Sequence, residues 1–289
     1  MPPGAIFLHS STAAPIGVFD SGVGGLTVLR ELQRQLPHES FLYFGDTARL
    51  PYGTRSPAEI RQFVREILDW MQAEGCKLVV MACNTSSALA LEALRGDYTM
   101  PLIGLIQPAA RVAVQRGQRI GVIATAATAQ SRAYRQALRE ANPNVQVWEI
   151  GCPEFVPLVE QQRIHDPQTL QVAAQYLAPL IEAQVDTLIY GCTHYPHLAP
   201  VIQQLLPSST HLLDPAEAVT RSVQMELEVL GLSHTSKAST VRFCVSHDPQ
   251  HFSLAIERWL GFQAPVDLIQ LPTRSLPSAH FASEAEGVA

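Results

Sequence analysis

The chain has 289 residues, 47% hydrophobic and 16% charged, with a formal net charge of −6. This composition excludes an intrinsically disordered chain and allows about two globular domains, each with its own core. The negative balance and the lack of a Lys/Arg cluster argue against a nucleic-acid partner, while a small anionic ligand stays open.

The first fifteen residues lack a basic segment followed by a long apolar stretch, so no signal peptide is expected. No apolar run approaches the roughly 18 residues of a membrane span, and no membrane partner is expected. The five cysteines, Cys76, Cys83, Cys152, Cys192 and Cys244, are odd in number and contain no CxxC pair. They read as reduced thiols of a cytoplasmic protein.

In chain order, apolar runs at 16–19, 40–44, 77–82, 102–105, 119–123, 145–149, 186–190, 210–213, 240–245 and 265–270 predict strands. Helical patterns lie between them, which is the signature of a parallel α/β sheet. The clearest helix covers 57–74, with Ile60, Phe63, Val64, Ile67, Leu68 and Met71 on one face. Ser56 is placed as its N-cap and Pro57 as its first residue. A second helix is expected near 248–261.

The pattern repeats. Ile16-Gly17-Val18-Phe19-Asp20-Ser21 is matched by Ile120-Gly121-Val122-Ile123-Ala124-Thr125, 104 residues later. Val79-Val80-Met81-Ala82-Cys83-Asn84-Thr85 is matched by Leu188-Ile189-Tyr190-Gly191-Cys192-Thr193-His194, with the cysteines 109 apart. This period far exceeds the roughly 20–50 residues of solenoids. The expected fold is therefore two pseudo-symmetric α/β domains, each a mostly parallel sheet flanked by helices, with the active site in the interdomain cleft. The first would comprise 1–107 plus 215–289 and the second 108–214. Segment 104–111, with Gly104 and Pro108, would cross between them, and Asp214-Pro215 would begin the return. Residues 1–14 and 274–289 read as loosely held termini.

Cys83 and Cys192 each end a strand-length apolar run and precede polar residues. Open α/β sheets form their ligand crevices at that end of the strands. Two thiols from two similar halves suit a reaction that takes a proton from one face of a carbon and returns one to the other. Cys76, Cys152 and Cys244 read as ordinary buried cysteines. Metal binding by Cys192, His194 and Cys83 lacks a zinc-like spacing and a fourth ligand, so no metal is expected.

Two loops accompany the cysteines. Asp20-Ser21-Gly22-Val23-Gly24-Gly25-Leu26-Thr27 joins a strand to a helix, and its glycines either admit an anion to backbone N–H groups or serve tight packing. The Rossmann fingerprint fails there, because Thr27 stands in place of the third glycine. Pro51-Tyr52-Gly53 is either an ordinary turn or a carboxylate contact walled by the Tyr52 ring.

Taken in order, Asp20-Ser21-Gly22-Val23-Gly24-Gly25, Pro51-Tyr52-Gly53, Ala82-Cys83-Asn84-Thr85 and Gly191-Cys192-Thr193-His194-Tyr195-Pro196 resemble the motifs of bacterial glutamate racemases. These belong to the cofactor-independent aspartate/glutamate racemase superfamily. The resemblance runs from about residue 16 to 262. It implies interconversion of L- and D-glutamate for peptidoglycan synthesis, with no cofactor. Cys83 would deprotonate D-glutamate and Cys192 L-glutamate. Asp20 would assist Cys83, while His194 and a further acid, Glu154, would assist Cys192. Ser21, Tyr52, Gly53, Asn84, Thr85 and Thr193 would contact the substrate beside Asp20 and His194. Homodimers are common in the family, which makes a homodimer the expectation. Related aspartate racemases typically carry Glu where this chain has His194, which favours glutamate. The alternatives are a racemase of another amino acid, a one-thiol decarboxylase or isomerase, and a non-catalytic amino-acid-binding module.

Overall fold

A computed structural model describes residues 11–236 and 239–272. Each of the ten apolar runs overlaps a strand: β1 Ile16–Asp20, β2 Phe41–Gly45, β3 Leu78–Met81, β4 Leu102–Gly104, β5 Arg119–Ala124, β6 Gln146–Gly151, β7 Thr187–Gly191, β8 His211–Leu213, β9 Val241–Val245 and β10 Val266–Leu268. Strands β1, β2, β3 and β7 are buried at every residue. Parallel strands covered on both faces read as continuous apolar runs, and that is why these were visible without alternation.

The strands form two sheets, ordered β10-β9-β2-β1-β3-β4 and β6-β5-β7-β8, with every pairing parallel. The second order repeats the β2-β1-β3-β4 portion of the first. The segments 104 residues apart, β1 and β5, hold the same place in the two sheets. β3 and β7, which lead to Cys83 and Cys192, are likewise equivalent. In each sheet the order reverses beside that central strand, and the crevice for a ligand opens beyond the carboxyl ends there.

The first sheet separates two apolar layers. On one face Ile16, Val18 and Val80 meet Leu29 and Leu32, together with Val219, Val223 and Phe252 from the returning chain. On the other, Phe19, Val79 and Met81 meet Ile60, Val64, Ile67, Leu68 and Met71. The latter five lie on the helix Pro57–Ala73, whose start is a reciprocal cap. Ser56 Oγ accepts from the Glu59 N–H at 3.3 Å, and Glu59 Oε2 accepts from the Ser56 N–H at 2.9 Å. Such a cap contributes about 0.5–2 kcal/mol. The second sheet is covered likewise, by Leu158, Leu177 and Leu180 on one face and by Ala109, Ala113, Tyr134 and Leu138 on the other.

The expected crossing at 104–111 is mostly helical. A helix spans Ile106–Arg116, with Pro108 in its first turn, where a missing N–H breaks no intrahelical bond. Ile106, Ala109, Ala110 and Ala113 pack against Ile120 and Val122 of the second sheet, so the chain changes sheets at Leu105. It returns after β8, where Asp214 caps the helix Pro215–Leu230 through a 3.0 Å bond from the Ala216 N–H. The helix expected near 248–261 is Pro249–Leu260. Of the two termini expected to be loosely held, 274–289 lies outside the described residues, as does 1–10. Within 11–14, the Thr12 carbonyl accepts from the buried Lys77 ammonium at 2.6 Å. Among the described residues, no helix is long and apolar enough to cross a membrane.

Candidate active site

The carboxyl ends of β1, β3 and β7, with the loop after β2, converge on one cavity of about 410 Å³. Asp20 ends β1, Cys83 follows β3 and Cys192 follows β7. Ten of the residues singled out in the sequence line this cavity: Asp20, Ser21, Tyr52, Gly53, Cys83, Asn84, Thr85, Cys192, Thr193 and His194. Burial does not distinguish the two cysteines, since Cys83 (5% exposed), Cys192 (6%) and Cys76 (5%) are alike. What sets Cys83 and Cys192 apart is the cavity that both sulfurs reach. Cys76, Cys152 and Cys244 share the same apolar layers but do not line the cavity.

The surroundings of the two thiols differ. Burial and the nearby Asp20 carboxylate push the Cys83 thiol up to about 11, so it is a thiol at neutral pH. Its Sγ lies 3.9 Å from Ser21 Oγ. Cys192 Sγ lies 3.9 Å from His194 Nδ1, and the other ring nitrogen, Nε2, lies 3.1 Å from Glu160 Oε1. A carboxylate accepts only, so Nε2 carries a proton and Nδ1 is the nitrogen that can take the thiol's proton. Burial opposes charge on His194, yet the bonds with Cys192 and Glu160 raise it to about 10. An imidazolium in that position is a partner for a thiolate. Asp20 is raised above the usual carboxylate range by burial, with His194 pulling it back. Its Oδ1 accepts from the Gly22 N–H at 2.8 Å and its Oδ2 from the Thr193 hydroxyl at 3.3 Å.

Glu154, expected as the acidic helper of Cys192, stands elsewhere. Its carboxylate is exposed, accepts from the Tyr176 hydroxyl at 2.9 Å, and does not line the cavity. Glu160, six residues on and at the end of the helix Phe155–Glu160, is the acid that meets His194. No local motif marks Glu160. It lies in the polar run Glu160-Gln161-Gln162-Arg163, 34 residues before its partner.

The glycine-rich turn after β1 serves packing. Gly22, Gly24 and Gly25 do not line the cavity, and the Gly22 N–H is engaged by Asp20. A Cβ at Gly24 would lie 2.2 Å from Thr193 Oγ1 and 2.7 Å from the His194 ring, so only glycine lets this turn approach the residues after Cys192. The loop after β2 is braced from behind. The Asp46 carboxylate accepts from the Tyr52 hydroxyl, from Arg49 Nε at 2.6 Å and from Ser246 Oγ at 2.8 Å. With its hydroxyl held there, Tyr52 offers its ring to the cavity.

Thr125 also lines the cavity and was not singled out, although the 104-residue repeat aligns it with Ser21. Thr85 Oγ1 lies 3.0 Å from Thr125 Oγ1 and 3.2 Å from Thr128 Oγ1, which joins the two domains through hydroxyls. Leu50, Pro51, Val156 and Pro157 supply apolar wall, and no Lys or Arg is among the lining residues. The cavity can thus hold a small molecule between two thiols of unequal surroundings, with neutral donors for its anionic groups.

The Asp/Glu/Hydantoin racemase family model matches residues 16–223. The chain is 59% identical to a glutamate racemase of Gloeothece citriformis over 261 residues, 90% of this chain and 94% of the relative. Its fold is similar to that of a glutamate racemase isoform from Bacillus anthracis, with a TM-score of 0.88 and 38% identity, covering 91% of this chain and all (100%) of that one. The glutamate racemase of Francisella tularensis, solved in complex with D-glutamate, superposes with a TM-score of 0.86 and 33% identity, at 91% and 100% coverage. This chain therefore belongs to the Asp/Glu/Hydantoin racemase family and, within it, stands with the glutamate racemases.

Proposed function

We propose that this isomerase interconverts L- and D-glutamate by proton transfer between Cys83, the substrate Cα and Cys192, supplying D-glutamate for peptidoglycan. The observation that carries this reading is that two thiols on equivalent strands of two equivalent sheets line the same cavity. From L-glutamate, the Cys192 thiolate paired with the His194 imidazolium takes the Cα proton. The electron pair left on Cα is delocalised into the α-carboxylate. The Cys83 thiol then gives its proton to the opposite face, leaving D-glutamate, a Cys192 thiol and a Cys83 thiolate. The reverse reaction runs the same transfers backwards. The neutral donors Ser21, Asn84 and Thr85 suit a substrate carboxylate whose charge grows during proton removal, with Thr193 beside them engaged by Asp20. Glu160 takes the helper role in place of Glu154, because it holds His194 in the tautomer that faces Cys192.

The domain division at 107/108 and 214/215, the homodimer and the cytoplasmic location are part of the same proposal and rest on the sequence and its resemblance. The test is circular dichroism of L- and D-glutamate with pure protein and no added cofactor. Both enantiomers are expected to lose optical activity, and in heavy water the product gains deuterium at Cα. No change with glutamate, but turnover of aspartate, overturns the substrate. Binding of glutamate without deuterium uptake overturns catalysis.

A further inference from the structure

Asn84 stands directly after Cys83, is 3% exposed and lines the cavity. Its Oδ1 accepts a 2.6 Å hydrogen bond from the Tyr134 hydroxyl, while its Nδ2 is buried and has no partner among the described residues. Tyr134 is fully buried, in the helix Ala133–Ala141, and packs beneath the second sheet with Ile120, Val122 and Leu138. Asn84 belongs to the first sheet's side of the cleft. The bond therefore spans the two domains, and it exists only when they are together.

The consequence is orientational. A planar amide has one accepting and one donating end, and the Tyr134 hydroxyl engages the accepting end. The donating end is left desolvated, which is unfavourable until an acceptor arrives. In the reverse orientation the amide oxygen would face the incoming carboxylate, acceptor against acceptor. We infer that Tyr134 is a positioning residue that presents the Asn84 N–H donors to a carboxylate of the substrate. This rests on the racemase reading and adds a residue from outside the cavity lining to it.

Tyr134→Phe keeps the ring in its apolar layer and removes only the hydroxyl. The expected result is a KM for glutamate raised about tenfold, the size of one lost net hydrogen bond of about 1.4 kcal/mol, with kcat within about twofold. A merely structural defect would lower kcat or active fraction without that split. In an Asn84→Ala background, Tyr134→Phe is expected to add nothing, because the group it orients is gone. An unchanged KM in Tyr134→Phe, a loss of kcat alone, or the same KM rise in the Asn84→Ala background each overturns the inference. Wild-type protein that fails to racemise glutamate overturns the functional reading itself, and the inference with it.

Discussion

Gly24→Ala tests whether the turn after β1 must touch the residues after Cys192. The added Cβ would sit 2.2 Å from Thr193 Oγ1 and 2.7 Å from His194 Cε1 and Nδ1. To restore a contact of 3.4 Å, the Thr193 hydroxyl has to retreat by about 1.2 Å. Thr193 is β-branched and stiff, and its hydroxyl already donates to Asp20. The His194 ring is held by Cys192 and Glu160 and stands edge-on to Trp259 at 5.8 Å between centroids. Neither group can swing aside freely, so the displacement passes to the thiol and its base or prises the domains apart. A misplacement of about 1 Å costs about 10²-fold in rate, and overpacking of this kind costs about 1–3 kcal/mol of stability. The expected outcome is kcat for L-glutamate down about 100-fold, read by circular dichroism at saturating substrate, with a Tm a few degrees lower. Gly96→Ala, where no atom lies within 4 Å of the added Cβ, serves as control and should be silent. Wild-type kcat in Gly24→Ala would refute the close approach in the working enzyme.

Cys83→Ala and Cys192→Ala are each expected to abolish racemisation in both directions; wild-type turnover in either one would reject the paired mechanism. For pH, burial opposes charge on His194, but Cys192 and Glu160 raise it to about 10 from an ordinary 6.5. A folded-state value above the unfolded one stabilises fully below about pH 6.5 and is lost as pH rises through about 10. Tm should therefore fall across that window, less steeply in Glu160→Gln, and an equal decline in both proteins would refute the assignment. Lys77→Met removes the buried ammonium that meets Glu39 at 2.6 Å and the carbonyls of Thr12 and Leu232. Stranding the Glu39 carboxylate should cost about 3–5 kcal/mol in urea unfolding, and a loss below about 1 kcal/mol would contradict the buried pair.

Strands β1, β2, β3 and β7 were legible because doubly covered parallel strands leave unbroken apolar runs, and the helix Pro57–Ala73 was legible because Ser56 and Pro57 spell its start. The helix Ile106–Arg116 was hidden by Gly104 and Pro108, which read as a break but sit before it and in its first turn. Cys83 and Cys192 announced themselves through the repeat. Glu160 did not, because its partner lies 34 residues away and a polar run gives no reason to prefer one carboxylate over another. Tyr134 was hidden for the opposite reason: its ring belongs to the apolar layer, and only its hydroxyl reaches Asn84. The glycines after β1 could be read as an anion cradle or as close packing, and only the position of Thr193 and His194 decides between these.

The threonines Thr85, Thr125 and Thr128 meet hydroxyl to hydroxyl where the two domains touch. Such a seam can re-form its bonds with water at little net expense, since each hydroxyl both gives and accepts. It also carries no ionic attraction for dissolved salt to screen. The threonine contact should thus be indifferent to ionic strength, and any salt response of the cleft falls on the buried attraction between Asp20 and His194 across it.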